Sequence, residues 1–227
     1  MSRPAKPLIT REWAARAALG VIDAQGLGAF SLELVARRIG VKAPSLYYHF
    51  RDKAALLAEV ARLMLVDFEP PEQVDGDWEG NLIRLCVAVR RSILQHPNAA
   101  PLLLQFFPRH LMLPTYDRAV ADYPFPIERH ITMIEGLEQL TFGSAFFEAA
   151  GRVRSIEPMP EFDLERFPNL AMAISANRFD KEGLFVETLR TFIAGAWAQQ
   201  DKPEIEPIRP IEEGSKRGSR HRGSLTG

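Results

Sequence analysis

The chain has 227 residues, of which 46% are hydrophobic and 25% charged, a composition typical of a globular protein with a sizeable core. Its longest apolar runs fall well short of the roughly 18 residues needed to cross a bilayer, and no apolar segment follows Met1, so we expect a cytoplasmic protein without a membrane span or signal peptide. Cys86 is the only cysteine, which excludes an internal disulfide and a cysteine-based zinc site within one chain.

The net charge of -1 is the sum of two unequal parts. Residues 1–65 contain ten Lys and Arg side chains against five Asp and Glu side chains, a net charge of +5, so the remainder carries -6. A basic segment joined to an acidic remainder is typical of a nucleic-acid-binding head on a larger body. The alternative is a solvated basic face that binds nothing.

Two helices are predicted in the basic segment. The first begins after Thr10, a good N-terminal cap, and ends near Gly26. The second, shorter helix begins after Ser31 and ends at Gly40. Both have one apolar face at helical spacing. The two apolar faces comprise Trp13, Ala17, Val21 and Ile22, and then Leu32, Val35, Ala36 and Ile39.

A third helix is predicted to begin at Pro44, only a short turn after the second helix, because proline is well suited to the first helical position. Two short helices joined by a tight glycine-containing turn form a helix-turn-helix, whose second helix projects into the DNA major groove. Leu46 and Phe50 lie four residues apart and are expected to pack on the first two helices. The other side chains then either face base edges and phosphates or, for the tyrosines, pack against neighbouring helices. These are Ser45, Tyr47, Tyr48 and His49.

The stretch FSLELVARRIGVKAPSLYYHFRDKAALLAEV resembles the DNA-binding segment of the tetracycline-repressor (TetR) family, including its LYxHF recognition-helix core and the K-x-x-L that opens the following helix. The resemblance is close over residues 10–65 and diffuse beyond them, and it implies an N-terminal helix-turn-helix joined to a helical regulatory domain. It implies that Ala43, Pro44, Ser45 and Tyr47 approach bases and that Tyr48, His49 and Lys53 contact the DNA backbone.

Two residues depart from that pattern. Glu33 occupies a position where the tetracycline repressor presents an arginine to a base, and Ala43 a position where it has a glutamine. Neither residue can make the bidentate contact of the side chain it replaces, so we expect a different operator. Arg37 and Lys42 are either additional DNA contacts or solvated surface charges.

The rest of the chain is predicted to be helical, because no run alternates with a period of two residues. A connecting helix runs from Lys53 to Val66 and is broken by Pro70 and Pro71. Further helices are predicted at Trp78 to Gln95, Pro97 to Phe107, Tyr116 to about Asp122, Pro126 to Glu148 and Lys181 to Gln199.

Three segments follow from this pattern: a DNA-binding head at 1–52, a regulatory and dimerisation body at 53–200, and a disordered tail at 201–227. The basic end of the tail, Lys216 to Arg222, either touches DNA or is solvated. Within the body, the proline-containing stretch from Arg152 to Arg178 is expected to be a long irregular connection that covers a pocket entrance.

The helices predicted at 126–148 and 181–199 are apolar on more than one face, and Gly136, Gly143 and Gly195 permit close approach of another helix. Either they form a four-helix interface between two protomers or they belong to a monomeric core. We favour the interface, because one helix-turn-helix reads too few bases, whereas a two-fold dimer spaces two reading heads about 34 Å apart on a palindrome.

The body also contains residues suited to lining an apolar cavity, although ordinary core packing explains any one of them. In the resemblance, Leu103 replaces the histidine that holds magnesium in the tetracycline repressor, which argues against magnesium-tetracycline. The matching positions Leu85, Val89 and Phe106 are apolar, which points to a hydrophobic effector such as a lipid, sterol or aromatic compound. The candidate ligand-binding residues are Trp78, Leu85, Val89, Arg90, His96, Leu103, Phe106, Phe107, His110, Met112, Tyr116, Met133 and Phe146.

The sequence contains no HExxH, GxSxG or phosphate-binding glycine loop, and its histidines have no metal-ligand spacing, so we predict neither an enzyme nor a bound metal or cofactor. The predicted function is a homodimeric repressor that binds a palindromic DNA operator and is released by a hydrophobic effector. The alternative is a helical adaptor that binds another protein without reading DNA sequence.

Overall fold

A computed structural model describes residues 9–157 and 159–199, and all regular structure within these ranges is helical. The predicted all-α class is confirmed. The helices are α1 Arg11–Gln25, α2 Leu32–Arg38, α3 Pro44–Tyr47, α4 Lys53–Val66, α5 Trp78–Gln95, α6 Pro101–Phe106, α7 Leu113–Ala121, α8 His130–Arg154, α9 Pro168–Ala176 and α10 Lys181–Gln199. Short 3-10 turns at Leu27–Ala29, Arg109–Leu111 and Ile127–Arg129 precede α2, α7 and α8.

Both predicted N-terminal caps of the head are present. The hydroxyl oxygen of Thr10 accepts the N–H of Trp13 at 3.0 Å, and that of Ser31 accepts the N–H of Leu34 at 3.2 Å. Each bond satisfies a backbone donor that has no partner inside its helix. Gly40, with φ of +71°, makes the turn after α2 in a conformation that disfavours a side chain. The helix-turn-helix therefore begins and turns where the sequence indicates.

The third helix is anchored by two apolar side chains. Leu46 and Phe50 are both buried in the core, as predicted. The regular helix ends at Tyr47, but the N–H groups of His49 and Phe50 both bond the carbonyl of Leu46 at 2.9 Å, so the helical path continues through a second turn. Burial of residues 46 and 50 leaves the opposite side of this helix outside the core.

The connecting helix α4 joins the head to the body. It packs against α1 on one side and against α6 and α5 on the other. One hydrophobic core follows it, from Ala14 and Ile22 in the head through Leu56 and Leu63 to Leu102 in the body. Because this core is continuous, a displacement of α6 is expected to be transmitted to the head through packed side chains.

A second core lies between α5, α8 and α10, which pack against one another in all three pairs. Its buried members are Leu82, Cys86, Phe125, Met133, Leu137, Phe185, Leu189 and Ile193.

Burial raises the pKa of the Cys86 thiol from 9.0 to about 11. The thiol thus contributes stability below about pH 9, and this stability is lost as the pH rises through about 11. Since the thiolate is the reactive form, we expect an aromatic disulfide reagent to label Cys86 slowly in the native protein at neutral pH and promptly in denaturant. Rapid labelling without denaturant would contradict the observed burial.

Several expectations about the body were wrong. The helix predicted to begin at Tyr116 begins at Leu113, and the helix predicted to begin at Pro126 begins at His130, after a 3-10 turn. The stretch from Arg152 to Arg178 is not one irregular connection, because α8 continues to Arg154 and α9 occupies Pro168–Ala176. The sequence predicts a helix from Pro97, but residues 96–100 form a bend and turns, and α6 begins only at Pro101. The terminal tail from residue 201 lies outside the described residues.

Candidate nucleic-acid interface and ligand cavities

The side of α3 opposite Leu46 and Phe50 presents two aromatic rings to solvent. The exposed fraction is 53% for Tyr47 and 89% for Tyr48. The Tyr48 and His49 rings meet edge to face with centroids 5.2 Å apart. Packing of the tyrosines against neighbouring helices, the alternative that the sequence left open, is therefore not observed in this chain.

The other predicted base-contacting residues stand at the start of α3. Pro44 is exposed, whereas Ala43 and Ser45 are half-buried, and Ala43 packs partly against the head core. Residues 43 and 45 both have small side chains. A surface of this shape, with tyrosines beside small residues, suits contact with base edges in a groove.

Unpaired cations flank this surface. Arg37 and Lys42 are exposed, and among the described residues no carboxylate pairs with either of them. By contrast, Arg51 pairs with Asp52 at 2.9 Å and Arg16 with Asp67 at 2.6 Å. Free guanidinium and ammonium groups next to a recognition helix are available for phosphate oxygens.

Lys53 makes contacts within the head that the sequence did not indicate. Its ammonium donates to the carbonyl of Phe30 at 2.8 Å and lies 5.1 Å from the centre of the Phe30 ring. The adjacent Asp52 accepts the N–H of Ala55, and this bond, with that from Arg51, lowers the pKa of the Asp52 carboxyl. The start of α4 is thus tied to the chain before α2, and the Lys53 side chain is otherwise exposed.

Arg11, which sequence reasoning missed, links the recognition helix to the connecting helix. Its guanidinium donates to the carbonyl of His49, stacks on the Phe50 ring at 4.4 Å and lies 3.6 Å from the Glu59 carboxylate of α4. Nothing in the local sequence around residue 11 signals these contacts, because they join residues up to 48 positions apart in the chain.

The predicted ligand-binding residues are divided between the two cores. Trp78 and Met133 belong to the core between α5, α8 and α10, whereas five others pack in or against the core along α4: Val89, Leu103, Phe106, Phe107 and Phe146. Leu85 and Met112 are half-buried and His110 is exposed. The structure therefore does not bring the whole set together around one cavity.

Arg90, predicted as a polar anchor, lies in a buried ion-pair network. Its side chain is 4% exposed and donates to the Glu148 carboxylate and, at 3.0 Å, to the Ser144 hydroxyl. The Glu182 carboxylate lies 3.8 Å away, and the Phe185 ring centre lies 5.3 Å from the guanidinium carbon. Arg90 therefore joins α5, α8 and α10 and is engaged by protein groups.

His96 bridges the head and the body. Its Nδ1 atom lies 2.8 Å from a carboxylate oxygen of Asp23 in α1, and the neighbouring Asn98 amide donates to the Asp23 backbone carbonyl at 2.9 Å. The predicted anchor residue thus holds the end of α1 against the turn before α6. No local sequence pattern predicts this contact, because residues 23 and 96 are far apart in the chain.

The described residues form two surface cavities, one in the body and one where the head meets the body. One, of about 640 Å³, lies between α7 and the start of α8 and includes Tyr116 in its lining. Two of its lining residues, Tyr116 and Arg109, donate to the Glu138 carboxylate, and burial together with this carboxylate raises the pKa of the Tyr116 phenol. The apolar lining of this cavity comprises Leu113, Pro114, Val120, Ile131 and Ile134.

The other cavity, of about 510 Å³, which we call the junction cavity, lies where α1, α4 and the end of α6 meet. Three of the predicted ligand-binding residues line it, Phe106, Phe107 and His110. The rest of its lining comprises Arg11, Ala55, Ala58, Glu59, Arg62 and Pro108.

No group of three or more His, Cys, Asp or Glu side chains within residues 9–157 and 159–199 is placed to hold a metal ion. Over the same ranges, no helix is long and apolar enough to cross a membrane.

The match to a known protein family lies in the head. A family model described as bacterial regulatory proteins, tetR family, matches residues 15–60. The tetracycline repressor protein class A from transposon 1721 of Escherichia coli is 28% identical over 141 residues, which are 60% of this chain and 65% of that protein. The class E tetracycline repressor of Escherichia coli is 25% identical over 212 residues, covering 88% of this chain and 94% of that protein.

The fold of the whole chain also has solved counterparts. The Streptomyces coelicolor TetR family protein ActR, in its complex with actinorhodin, superposes with a TM-score of 0.69 at 23% identity, covering 86% of this chain and 99% of that chain. At this identity the likeness concerns the fold. It extends the match from the head to the helical body.

Proposed function

Because the chain belongs to the TetR family of bacterial regulatory proteins, we propose that it is a homodimeric, ligand-responsive repressor that reads a palindromic DNA operator. The observation that carries the proposal is the pair of exposed tyrosines, Tyr47 and Tyr48, on a helix whose other side is held by Leu46 and Phe50. Such a helix presents aromatic side chains on the side that a helix-turn-helix protein inserts into the major groove. The repressor acts in the cytoplasm, with its head at residues 1–52 and its body from residue 53.

The DNA contacts divide by chemistry. Tyr47 with Ala43, Pro44 and Ser45 faces base edges, where side-chain shape and hydrogen bonds discriminate sequence. The remaining predicted contacts hold the phosphate backbone and set the orientation of the head. These are Arg37, Lys42, Tyr48, His49 and Lys53.

Helices α8 and α10 pack against each other, and the residues on their outer faces support a dimer. Phe147 is 85% exposed, and Gly143, one turn before it, has no atom within 4 Å of where a side chain would begin. On α10 the exposed Leu184 lies on the same face as Gly195, which is equally open. A large ring beside open glycines is self-complementary in the way a two-fold interface requires. Gly136 has another role, because it makes room for Phe192 of the same chain.

Selection of binding sites from a random duplex library, at two salt concentrations, tests the function. We expect a palindrome whose half-sites lie about one helical turn apart, roughly 34 Å, and an affinity that falls steeply with salt as counterions are released. Enrichment of no sequence by folded protein would instead support the adaptor.

Within the selected operator, Tyr47→Ala is expected to reduce the preference for the operator over unrelated duplex by about 1–3 kcal/mol, because it removes a base contact. Tyr48→Ala is the matched control: it removes the neighbouring exposed ring but should weaken binding similarly on all sequences. Lys53→Ala is a poorer control, since it also breaks the bond to Phe30. Fluorescence anisotropy with the operator and with an unrelated duplex gives the ratio of the two affinities for each protein. If the parent, Tyr47→Ala and Tyr48→Ala all have the same ratio, this assignment of α3 is wrong.

A further inference from the structure

The junction cavity carries more positive than negative charge in its lining. Arg11 and Arg62 both face Glu59, at 3.6 Å and 2.7 Å, so two guanidinium groups share one carboxylate. With His110 neutral, the lining has a net charge of +1. The Glu59 side chain is 15% exposed, whereas those of Arg11 and Arg62 are 51% and 35% exposed. The guanidinium groups of Arg11 and Arg62 are therefore accessible to an anion, whereas the Glu59 carboxylate is already paired and is not available to a cation.

The remaining wall of the junction cavity is apolar. Phe106, Phe107 and Pro108 form the side contributed by the body, and Ala55 and Ala58 form the side contributed by α4. The two alanines leave open the space that longer side chains would fill. A cavity of about 510 Å³ lined by aromatic rings, methyl groups and charged side chains suits a small amphipathic molecule.

The same side chains connect the cavity to the recognition helix. Arg11 donates to the carbonyl of His49 and rests on the Phe50 ring. Arg11 lines the cavity, so an anion bound there competes with the His49 carbonyl for the guanidinium N–H donors. Ligand and DNA then oppose each other through the position of one guanidinium group.

We propose that the junction cavity binds a small amphipathic anion, an apolar body that carries one carboxylate-like group, and that its binding lowers the affinity for DNA. The proposal rests on the proposed function, and it refines the hydrophobic effector to one with a single negative charge. Arg62 and Arg11 bind the anionic group, and Phe106 and Phe107 contact the apolar body. Arg11 couples ligand binding to the recognition helix through its bond to His49.

Decanoate and decyltrimethylammonium, which share an apolar chain and differ in charge, are suitable probes for calorimetric titration of the full chain. We expect decanoate to bind and to do so at least tenfold more tightly than the cation. Arg62→Gln should weaken decanoate binding about tenfold. Arg84→Gln is the matched control and should not, because this arginine is 37% exposed, pairs with Asp77 at 3.1 Å and lies outside the cavity.

Ala58→Phe gives a second, independent readout, since its ring fills the cavity from the α4 side and should abolish decanoate binding without removing a charge. The proposal is overturned if decanoate does not bind, if the cation binds as tightly, or if Arg62→Gln and Arg84→Gln bind decanoate equally. If Ala58→Phe does not fold, the comparison of the two arginine variants still decides.

The coupling is measured separately, as the affinity for the selected operator with and without decanoate. We expect decanoate to weaken operator binding by the parent chain and by Arg84→Gln, and to have about tenfold less effect at the same concentration on Arg62→Gln. If an operator is selected but decanoate binds without changing its affinity, the coupling is wrong while the repressor function stands. If decanoate binds and no operator is selected, the function fails while the site stands.

Discussion

Glu148→Leu is expected to lower the free energy of unfolding by about 3 kcal/mol, because it leaves the buried Arg90 guanidinium without its main partner. Arg90 joins three helices of the body, and its side chain is 4% exposed, so water cannot replace the lost carboxylate. The Ser144 hydroxyl at 3.0 Å and Glu182 at 3.8 Å remain and keep the loss near the lower end of the range for buried pairs. Urea denaturation at one fixed protomer concentration measures the change.

A double variant and a surface control separate the charge from the packing. Arg90→Met with Glu148→Leu should recover most of the loss, since replacing both partners leaves no buried charge. Glu135→Leu, on the same helix, removes one carboxylate from the exposed pair with Arg109 and should cost less than about 1 kcal/mol. Equal losses for Glu148→Leu and Glu135→Leu would show that Arg90 is not the reason.

Phe147→Arg is expected to raise the dimer dissociation constant at least a hundredfold, because two like charges would replace two large apolar rings at a self-complementary face. A hundredfold change corresponds to about 2.7 kcal/mol, within the range of a central aromatic residue at an interface. Operator affinity should fall with it, since a single head reads only one half-site. Sedimentation equilibrium across a range of concentrations gives the constant directly.

Leu104→Arg is the control for this prediction. Leu104 is exposed to a similar degree, at 69%, but lies on α6 and not on α8 or α10. Its replacement should leave the dimer intact. If both arginine variants remain dimeric, the interface lies elsewhere. If both dissociate, the effect belongs to surface charge and not to the face formed by Phe147 and Gly143.

The head was predictable because its signals are local. Thr10 and Ser31 cap helices within three residues of themselves, and Leu46 and Phe50 share a helix face through their spacing. The resemblance to a known family then linked Tyr47 to bases. Such features depend only on neighbouring residues and on the period of a helix, so they can be predicted from the sequence.

The body was predicted less well. The sequence does not predict helix α9, because Pro168 also suits a loop, although proline is tolerated at the first position of a helix. Gly136 was assigned to a contact between protomers, yet it accommodates Phe192 of the same chain. In both cases the residue type permits two structures, and the distant packing partner decides between them.

The sequence by itself determined the all-α class, the positions of the three head helices, the connecting helix and which side of α3 is buried. Only the tertiary structure decided that Arg90 is held by Glu148, that Asp23 meets His96, and that Arg11 joins His49 to Glu59. Helix boundaries depend on nearest neighbours and a fixed period. Pairings between residues tens of positions apart depend on how the helices cross, and no local pattern encodes that geometry.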